Sequence, residues 1–399
     1  MRLLLPSLVV SVFLAANNVS AMATTKPRIL SFGIAAVDFV AVVDHFPDPD
    51  EKMRSSSLLV AGGGNAANSA CAMGRLSDYC QVDVATAVGD DANANTIIDG
   101  IAENNVGVEY VEKTPGGSSP FSYILTTPDN ARTIIHQPST RDMSLEFANT
   151  IPLSQYDAVH FDCRHPAAAV LLAEKCFDKK IPYSLDVERP REGLDELMDK
   201  ATVVICNSDF CDTMLGKPDK DNLSDLEIAN RLKQVIKKKA PNCKIALQTL
   251  GGKGSCLVRM NTNNDGKDGT ILETDEKGHV PLVTQHDGAL WCAVWGGCDV
   301  VDSTGAGDAF QGGFAVALWS YLAANPDQSL ETAPPAALAR SMRIATRVAA
   351  KKLEAPGARD GLPRSSEDGP LQEEFQGLGV TASAAATKKS GWRRLIPFL

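Results

Sequence analysis

Along the chain, short apolar runs alternate with longer stretches whose apolar residues recur every three to four positions. Residues 28–38, 82–88, 158–162, 181–187, 203–206 and 244–250 read as buried strands, and residues 65–75, 167–177 and 224–239 between them read as helices. This alternation predicts an α/β domain: a mainly parallel central sheet with helices on both faces. Two stretches break the rule. Residues 39–60 and 121–137 alternate with period two and carry Pro-Asp and Asp-Asn turns, which predicts antiparallel ribbons forming a small sheet over the main one. Residues 261–277 are polar and rich in Gly and Asp, as in a loop or hairpin insertion. After Leu362 the pattern fails, and residues 363–399 read as a flexible tail.

The N-terminus follows a different logic. Arg2 precedes the apolar residues 3–16, which Pro6 interrupts. That run is too short for a bilayer, which takes about twenty residues. With the small-residue site Val19-Ser20-Ala21 behind it, segment 1–21 resembles a secretory signal peptide or the first part of a bipartite organelle leader. Initiation at Met22 is the alternative and implies a cytoplasmic protein. No other stretch is long and apolar enough to span a membrane, so no membrane contact is expected after leader removal.

Composition narrows the classes. The 399 residues are 44% hydrophobic and 22% charged, as in globular proteins. With 39 basic and 49 acidic residues the formal charge is −10, so nucleic acid is not an expected partner. The ten cysteines form no Cys-x-x-Cys and read mostly as reduced core residues, although Cys292 and Cys298 could pair in an oxidising compartment. The six histidines show no metal-ligand spacing, and no metal-ligating residue is assigned.

Three glycine sites carry the candidate chemistry. Gly62-Gly63-Gly64-Asn65-Ala66-Ala67-Asn68 follows a strand-like segment and opens a helix. Glycines admit a ligand close to the backbone, and Asn65 and Asn68 lie three apart, so both amides can face one polyhydroxyl ligand. The same residues formally match a dinucleotide fingerprint, with Asp83 downstream, but Asp83 begins a strand where the fingerprint needs an acid at a strand's end. A plain tight turn is the remaining alternative. The second site, Asp302-Ser303-Thr304-Gly305-Ala306-Gly307-Asp308, opens a strongly apolar helix. Its backbone N–H groups and the helix dipole suit phosphoryl oxygens, and Asp308 in the first turn can accept a proton or simply cap the helix. The third, Thr249-Leu250-Gly251-Gly252-Lys253-Gly254, is a turn over which a nucleotide could lie. No P-loop, protein-kinase motif or nucleophile elbow is present.

AGGGNAANSA and DSTGAGDAFQGGFAVAL, in this order and separation, resemble the paired signatures of the ribokinase-like (PfkB-type) sugar kinases. The resemblance covers residues 28–362. GGNAANS, ARTI (131–134) and DVERPREGL (186–194) liken the chain most to the ketohexokinase-like members.

The resemblance implies a ribokinase-like three-layer α/β/α domain with a small β-sheet lid. It also implies ATP-dependent phosphoryl transfer to a sugar hydroxyl, with Mg²⁺. Asp308 would be the base, and the backbone of Gly305, Ala306 and Gly307 the anion hole. Asp38, at the end of the first strand, would hold the sugar with Gly64, Asn65 and Asn68. Arg132 would reach the phosphates from the lid, and Gly251 and Gly254 would contact the nucleotide. Lids of ketohexokinase-like members pair across a dimer, which implies a homodimer. One departure concerns the metal: where many members carry Asn-x-x-Glu, this chain reads Asn207-Ser208-Asp209-Phe210. Magnesium would then be held through the ATP phosphates and water. The segment 291–298, WCAVWGGC, is insertion-like; its tryptophans either border the nucleotide or pack.

A ketose such as fructose is the leading substrate. Ribose, a nucleoside or a sugar acid are alternatives, the last needing an extra cation such as Arg54 or Arg141. A silent regulatory subunit would be expected to lose Asp308 or the Gly-Ala-Gly turn, and both are intact. A secreted sugar-binding protein is a further class that the leader suggests; ATP is scarce outside cells, so a secreted fate would conflict with the kinase reading, and routing to a plastid or initiation at Met22 would remove the conflict.

Overall fold

Gly33 breaks the first apolar run in two. It ends β1 (Arg28–Phe32), and the chain turns there before β2 (Ala36–Val42). With φ 151° it occupies a conformation that favours glycine, and a Cβ there would lie 1.8 Å from the Asp162 carboxylate. Asp38 is therefore not at the end of the first strand, as the unbroken pattern suggested. It lies on the second one.

The structure, a computed structural model, describes residues 26–128, 131–217, 223–260 and 268–382. The leader at 1–21 and the chain after 382 lie outside the described residues. The remaining strands are β3 (Ser57–Gly63), β4 (Gln81–Gly89), β5 (Gly107–Thr114), β6 (Phe121–Thr126), β7 (Arg132–Gln137), β8 (Ala158–Phe161), β9 (Tyr183–Val187), β10 (Val203–Cys206), β11 (Ile245–Thr249), β12 (Ser255–Arg259), β13 (Gly269–Leu272), β14 (Val283–His286) and β15 (Ala289–Cys292). The helices are α1 (Asn65–Arg75), α2 (Ala92–Ala102), α3 (Leu145–Thr150), α4 (Pro166–Asp178), α5 (Leu194–Lys200), α6 (Phe210–Leu215), α7 (Asp225–Lys239), α8 (Ala306–Ala324), α9 (Pro335–Leu353) and α10 (Gly369–Gly377).

The main sheet runs β13-β14-β15-β12-β11-β10-β9-β8-β1-β4-β5. It is parallel from β5 to β11 and antiparallel beyond. Helices cover both faces, with Ile29, Val84, Phe314, Met342 and Phe375 in one core and Leu30, Phe161, Leu185, Phe210 and Leu232 in the other. Strand order reverses between β1 and β8, and ligands of such sheets bind beyond the strand ends at that point. Gly33 and Asp162 sit there.

The second sheet, β3-β2-β6-β7, is the expected pair of antiparallel ribbons, joined through a parallel β2–β6 contact. Register puts Asp38, Ser122 and His136 on one face and Phe39, Tyr123 and Ile135 on the other. Phe39, Phe121 and Tyr123 cluster on that second face with ring centroids 5.2 to 6.1 Å apart.

Folding continues past the expected boundary at Leu362. Helix α10 buries Leu371 and Phe375, and Phe375 stacks on Tyr79 with centroids 3.6 Å apart. Buried Glu374 binds Arg340 at 2.8 Å and Arg343 at 3.2 Å, and Asp368 binds Arg347. Residues 363–382 thus belong to the packed domain. Cys292 and Cys298 are separate thiols: Cys292 is buried, and Cys298 donates to the Ala350 carbonyl at 3.0 Å. Among the described residues, no helix is long and apolar enough to cross a membrane.

Candidate active site

Helix α8 is apolar almost all round and lies between α1 and α9. Gly312 and Gly313 let it approach both: a Cβ on Gly312 would lie 2.7 Å from the Ser69 carbonyl oxygen of α1, and one on Gly313 would lie 3.0 Å from Ala345 Cα of α9. This packing fixes where the helix starts. Gly305 forms its N-cap at φ 74°, with Ala358 so close that a Cβ would lie 2.7 Å from the alanine methyl. No side chain caps the helix, so the first-turn N–H groups at Gly305, Ala306 and Gly307 have no side-chain acceptor. The Ala306 N–H meets the Ser303 carbonyl oxygen at 3.2 Å, and the turn as a whole is a candidate anion site at a helix N-terminus.

Asp308 follows, 9% exposed. One carboxylate oxygen, Oδ2, accepts a 2.9 Å hydrogen bond from Asn68 Nδ2. Burial pushes its pKa up to about 7; the Asn68 bond and the Arg359 charge oppose this, and Glu188 and Asp162 reinforce it. Asn68 is held in turn, because Arg359 Nε donates to its Oδ1 at 2.8 Å. Arg359 Nη2 also donates to the Gly63 carbonyl at 2.8 Å.

Gly64 caps α1 at φ 90°, where a Cβ would lie 2.5 Å from the Ile34 carbonyl oxygen. Asp162 ties this corner together by accepting from the N–H groups of Ile34 and Ala66 at 2.9 and 3.0 Å. Asp38 is buried on the Ser122 face of the second sheet, and its carboxylate lies against Gly63, where a Cβ would be 2.2 Å away. Burial raises its pKa against the pull of Ser122 and Arg359. Asn65 does not share Asn68's partners. Its Nδ2 donates to Asp186 at 3.2 Å and Glu188 at 3.0 Å. The two amides open the same helix, but both are already engaged with protein carboxylates.

On the far side of the anion turn, a cavity of about 610 Å³ is lined by Gly251, Gly254, Trp295, Cys298, Gly307 and Phe310 among others. Gly254, at φ 91°, passes so close to the Cys292 carbonyl that a Cβ would lie 2.0 Å from its oxygen. Trp295 both packs, under Arg347 at 4.8 Å, and borders this cavity; Trp291 stacks on His286 at 5.3 Å. Arg132 of β7 donates to Thr304 Oγ1 at 3.2 Å, so the second sheet touches the 302–308 turn. Beneath the turn, buried Lys352 donates to the Asp302 carbonyl at 2.6 Å, and the Asp302 side chain accepts from the backbone of Thr304 and Gly357, each at 2.8 Å.

The Asn207–Phe210 stretch does not fit a protein-held magnesium ion. Phe210 is fully buried in the core, and Asn207 Oδ1 accepts from the N–H groups of Asp209 and Phe210. Among the described residues, no three His, Cys, Asp or Glu side chains are grouped to bind a metal.

The structure therefore brings Asp38, Gly64, Asn68, Asp308 and the Gly305–Gly307 turn together, with Gly251 and Gly254 across the turn and Arg132 above it. Arg54 and Arg141 are exposed. The sequence reading missed Arg359, Lys352 and Asp162. Only Asp162, at a strand end, carried a local signal.

Residues 26–281 and 282–365 match the model of the pfkB family carbohydrate kinases. Ketohexokinase of Mus musculus is 26% identical over 194 residues, 46% of this chain and 64% of that protein, so the match spans less than two thirds of it. Ribokinase of Lactococcus lactis is 24% identical over 343 residues, 85% of this chain and 95% of the relative. Among solved structures, ribokinase of Giardia lamblia has a TM-score of 0.69 at 18% identity, covering 88% of this chain and 100% of the other. Fructokinase of Xylella fastidiosa with bound ATP has a TM-score of 0.65 at 19% identity, covering 89% and 100%. The fold is ribokinase-like. With a family match over most of its length and both signature turns meeting at one buried carboxylate, the chain belongs to the pfkB family of carbohydrate kinases, which are phosphotransferases.

Proposed function

We propose that this kinase transfers the γ-phosphoryl group of ATP, taken as its magnesium complex, to a hydroxyl of a ketose such as fructose. Asp308 carries the reading. It is a buried carboxylate in the first turn of a helix without a side-chain cap, bonded to Asn68 on one side and next to a turn that lines a cavity of about 610 Å³ on the other. The acceptor hydroxyl would give its proton to Asp308 while its oxygen attacks the γ-phosphorus and ADP leaves. Charge spreads over the non-bridging oxygens in such transfers, so positioning and electrostatics do most of the work. The N–H groups of Gly305, Ala306 and Gly307 would meet those oxygens.

Asp38, Gly64, Asn65 and Asn68 would hold the sugar, and Gly251 and Gly254 the nucleotide. Arg132 would close over the phosphates, and its contact with Thr304 supports that placement. The ATP-bound fructokinase neighbour and the ketohexokinase and ribokinase relatives support both the co-substrate and a small sugar. We also propose a homodimer through the lid, whose outer face exposes Leu58, Val60, Tyr123 and Ile135.

The test is ADP release with Mg·ATP across fructose, ribose, glucose, adenosine and 2-keto-3-deoxygluconate. Turnover fastest with fructose supports the ketose reading; turnover fastest with ribose or the sugar acid overturns it. No turnover with any of them, despite ATP binding, would favour a regulatory family member.

A further inference from the structure

Arg359 lies on the segment that follows α9 and is 6% exposed. A buried guanidinium is costly unless its donors are satisfied. Among the described residues Nη1 has no hydrogen-bond partner, while Nε and Nη2 are spent on Asn68 and the Gly63 carbonyl. The placement is specific. A Cβ on Gly62 would lie 2.2 Å from Nη1, so the first glycine of the triplet leaves room for the arginine as well as for a ligand. Its charge acts on the carboxylates of both Asp38 and Asp308.

We propose that Arg359 is the positioning residue of the transfer: through Asn68 it directs an amide N–H to Oδ2 of Asp308, leaving Oδ1 for the acceptor hydroxyl, and it sets a positive charge beside the carboxylate. The assignment rests on Asp308 being the base. The amide of Asn68 can point in two ways, and only one presents N–H to a carboxylate. Arg359 has donors and no acceptor, so it selects the orientation with Oδ1 of Asn68 towards itself. Asp308 is otherwise surrounded by like charge: Asp162 after β8, and Asp186 and Glu188 on and after β9. Arg359 and Lys352 are the cations that act on it. Without Arg359, Asp308 would hold its proton to higher pH.

The experiment compares Arg359→Met, Arg359→Lys and Gly62→Ala with the wild-type chain. It measures thermal stability, ATP affinity, the pH profile of kcat/KM, and titration of Asp308 by carboxylate-labelled NMR assigned with Asp308→Asn. Arg359→Met is expected to lower kcat about tenfold to a hundredfold, as for a misplaced catalytic group. It should move the acid limb and the Asp308 titration up by about one pH unit, with ATP affinity unchanged. Arg359→Lys should restore the titration but not the full kcat, because its point charge lacks the fork. Gly62→Ala should reproduce the Met variant by displacing the guanidinium. If Arg359→Met does not fold, Gly62→Ala carries the titration test and Arg359→Lys the effect on kcat. A folded Arg359→Met or Gly62→Ala variant with an unmoved titration and an unmoved acid limb overturns the proposal. The titration needs no turnover: a shifted Asp308 in a protein that phosphorylates no sugar sustains the coupling and instead counts against the kinase reading.

Discussion

As the proposed base, Asp308 would act only after losing its proton, and its surroundings resist that loss. Burial sets its pKa at about 7, so kcat/KM should fall on the acid side of neutrality, with a limb near that value. The same shift bears on stability, with a definite sign. A carboxylate whose folded-state pKa is raised contributes stability that is full below the ordinary range near 3.8 and is lost as pH rises through about 7. At pH 8 the wild-type protein therefore carries a buried ionised group that Asp308→Asn removes. That variant should lose at least about 10²-fold in turnover yet melt at a higher temperature than wild type at pH 8, with the gap closing towards pH 5. Calorimetry at the two pH values checks this, and a lower melting temperature at pH 8 would contradict the assignment.

Helix α10 owes its place to contacts with the rest of the domain. Glu374 is shared by Arg340 and Arg343, and Arg343 is 5% exposed. Glu374→Ala leaves that arginine buried without its carboxylate and should cost about 3–5 kcal/mol in urea unfolding. Neutral behaviour would mean that α10 is not integral to the domain. Leu371, Phe375 and Leu378 have helical spacing and could have been read from sequence. The segment is short, however, and flanked by polar residues, and its stability comes from Tyr79 and from arginines on α9 that no local pattern reveals. The opposite case is α1, which was read at its correct bounds because a glycine starts it and an arginine ends it. The turn at Gly33 was hidden because its neighbours are apolar throughout, and its cause, the Asp162 carboxylate, lies on a distant strand. In the site, Asp308 and the three glycine turns were legible because each is a local sequence feature. Arg359 was not, since its nearest partner in sequence, Asn68, is 291 positions away.

At the scale of the molecule, the lid leaves apolar side chains facing water on its outer side: Leu58 is 62% exposed and Ile135 60%. Joint replacement of Tyr123 and Ile135 by lysine should convert a dimer to a monomer by light scattering, and a monomeric wild-type protein would end the dimer proposal. The bonds that complete the site also join distant parts of the chain: Asn68 to Asp308 across 240 positions, and Arg359 to Gly63 across 296. Contacts of such long separation close late in folding, because the loop entropy is spent before they form. A chain refolding from urea should therefore recover its far-UV circular dichroism before its ability to turn over sugar. A chain lacking residues 359–399 would keep every signature motif and, on the proposal above, lose the contact that orients Asn68 towards Asp308. Activity in this kinase should thus report whether two segments 291 positions apart have found each other.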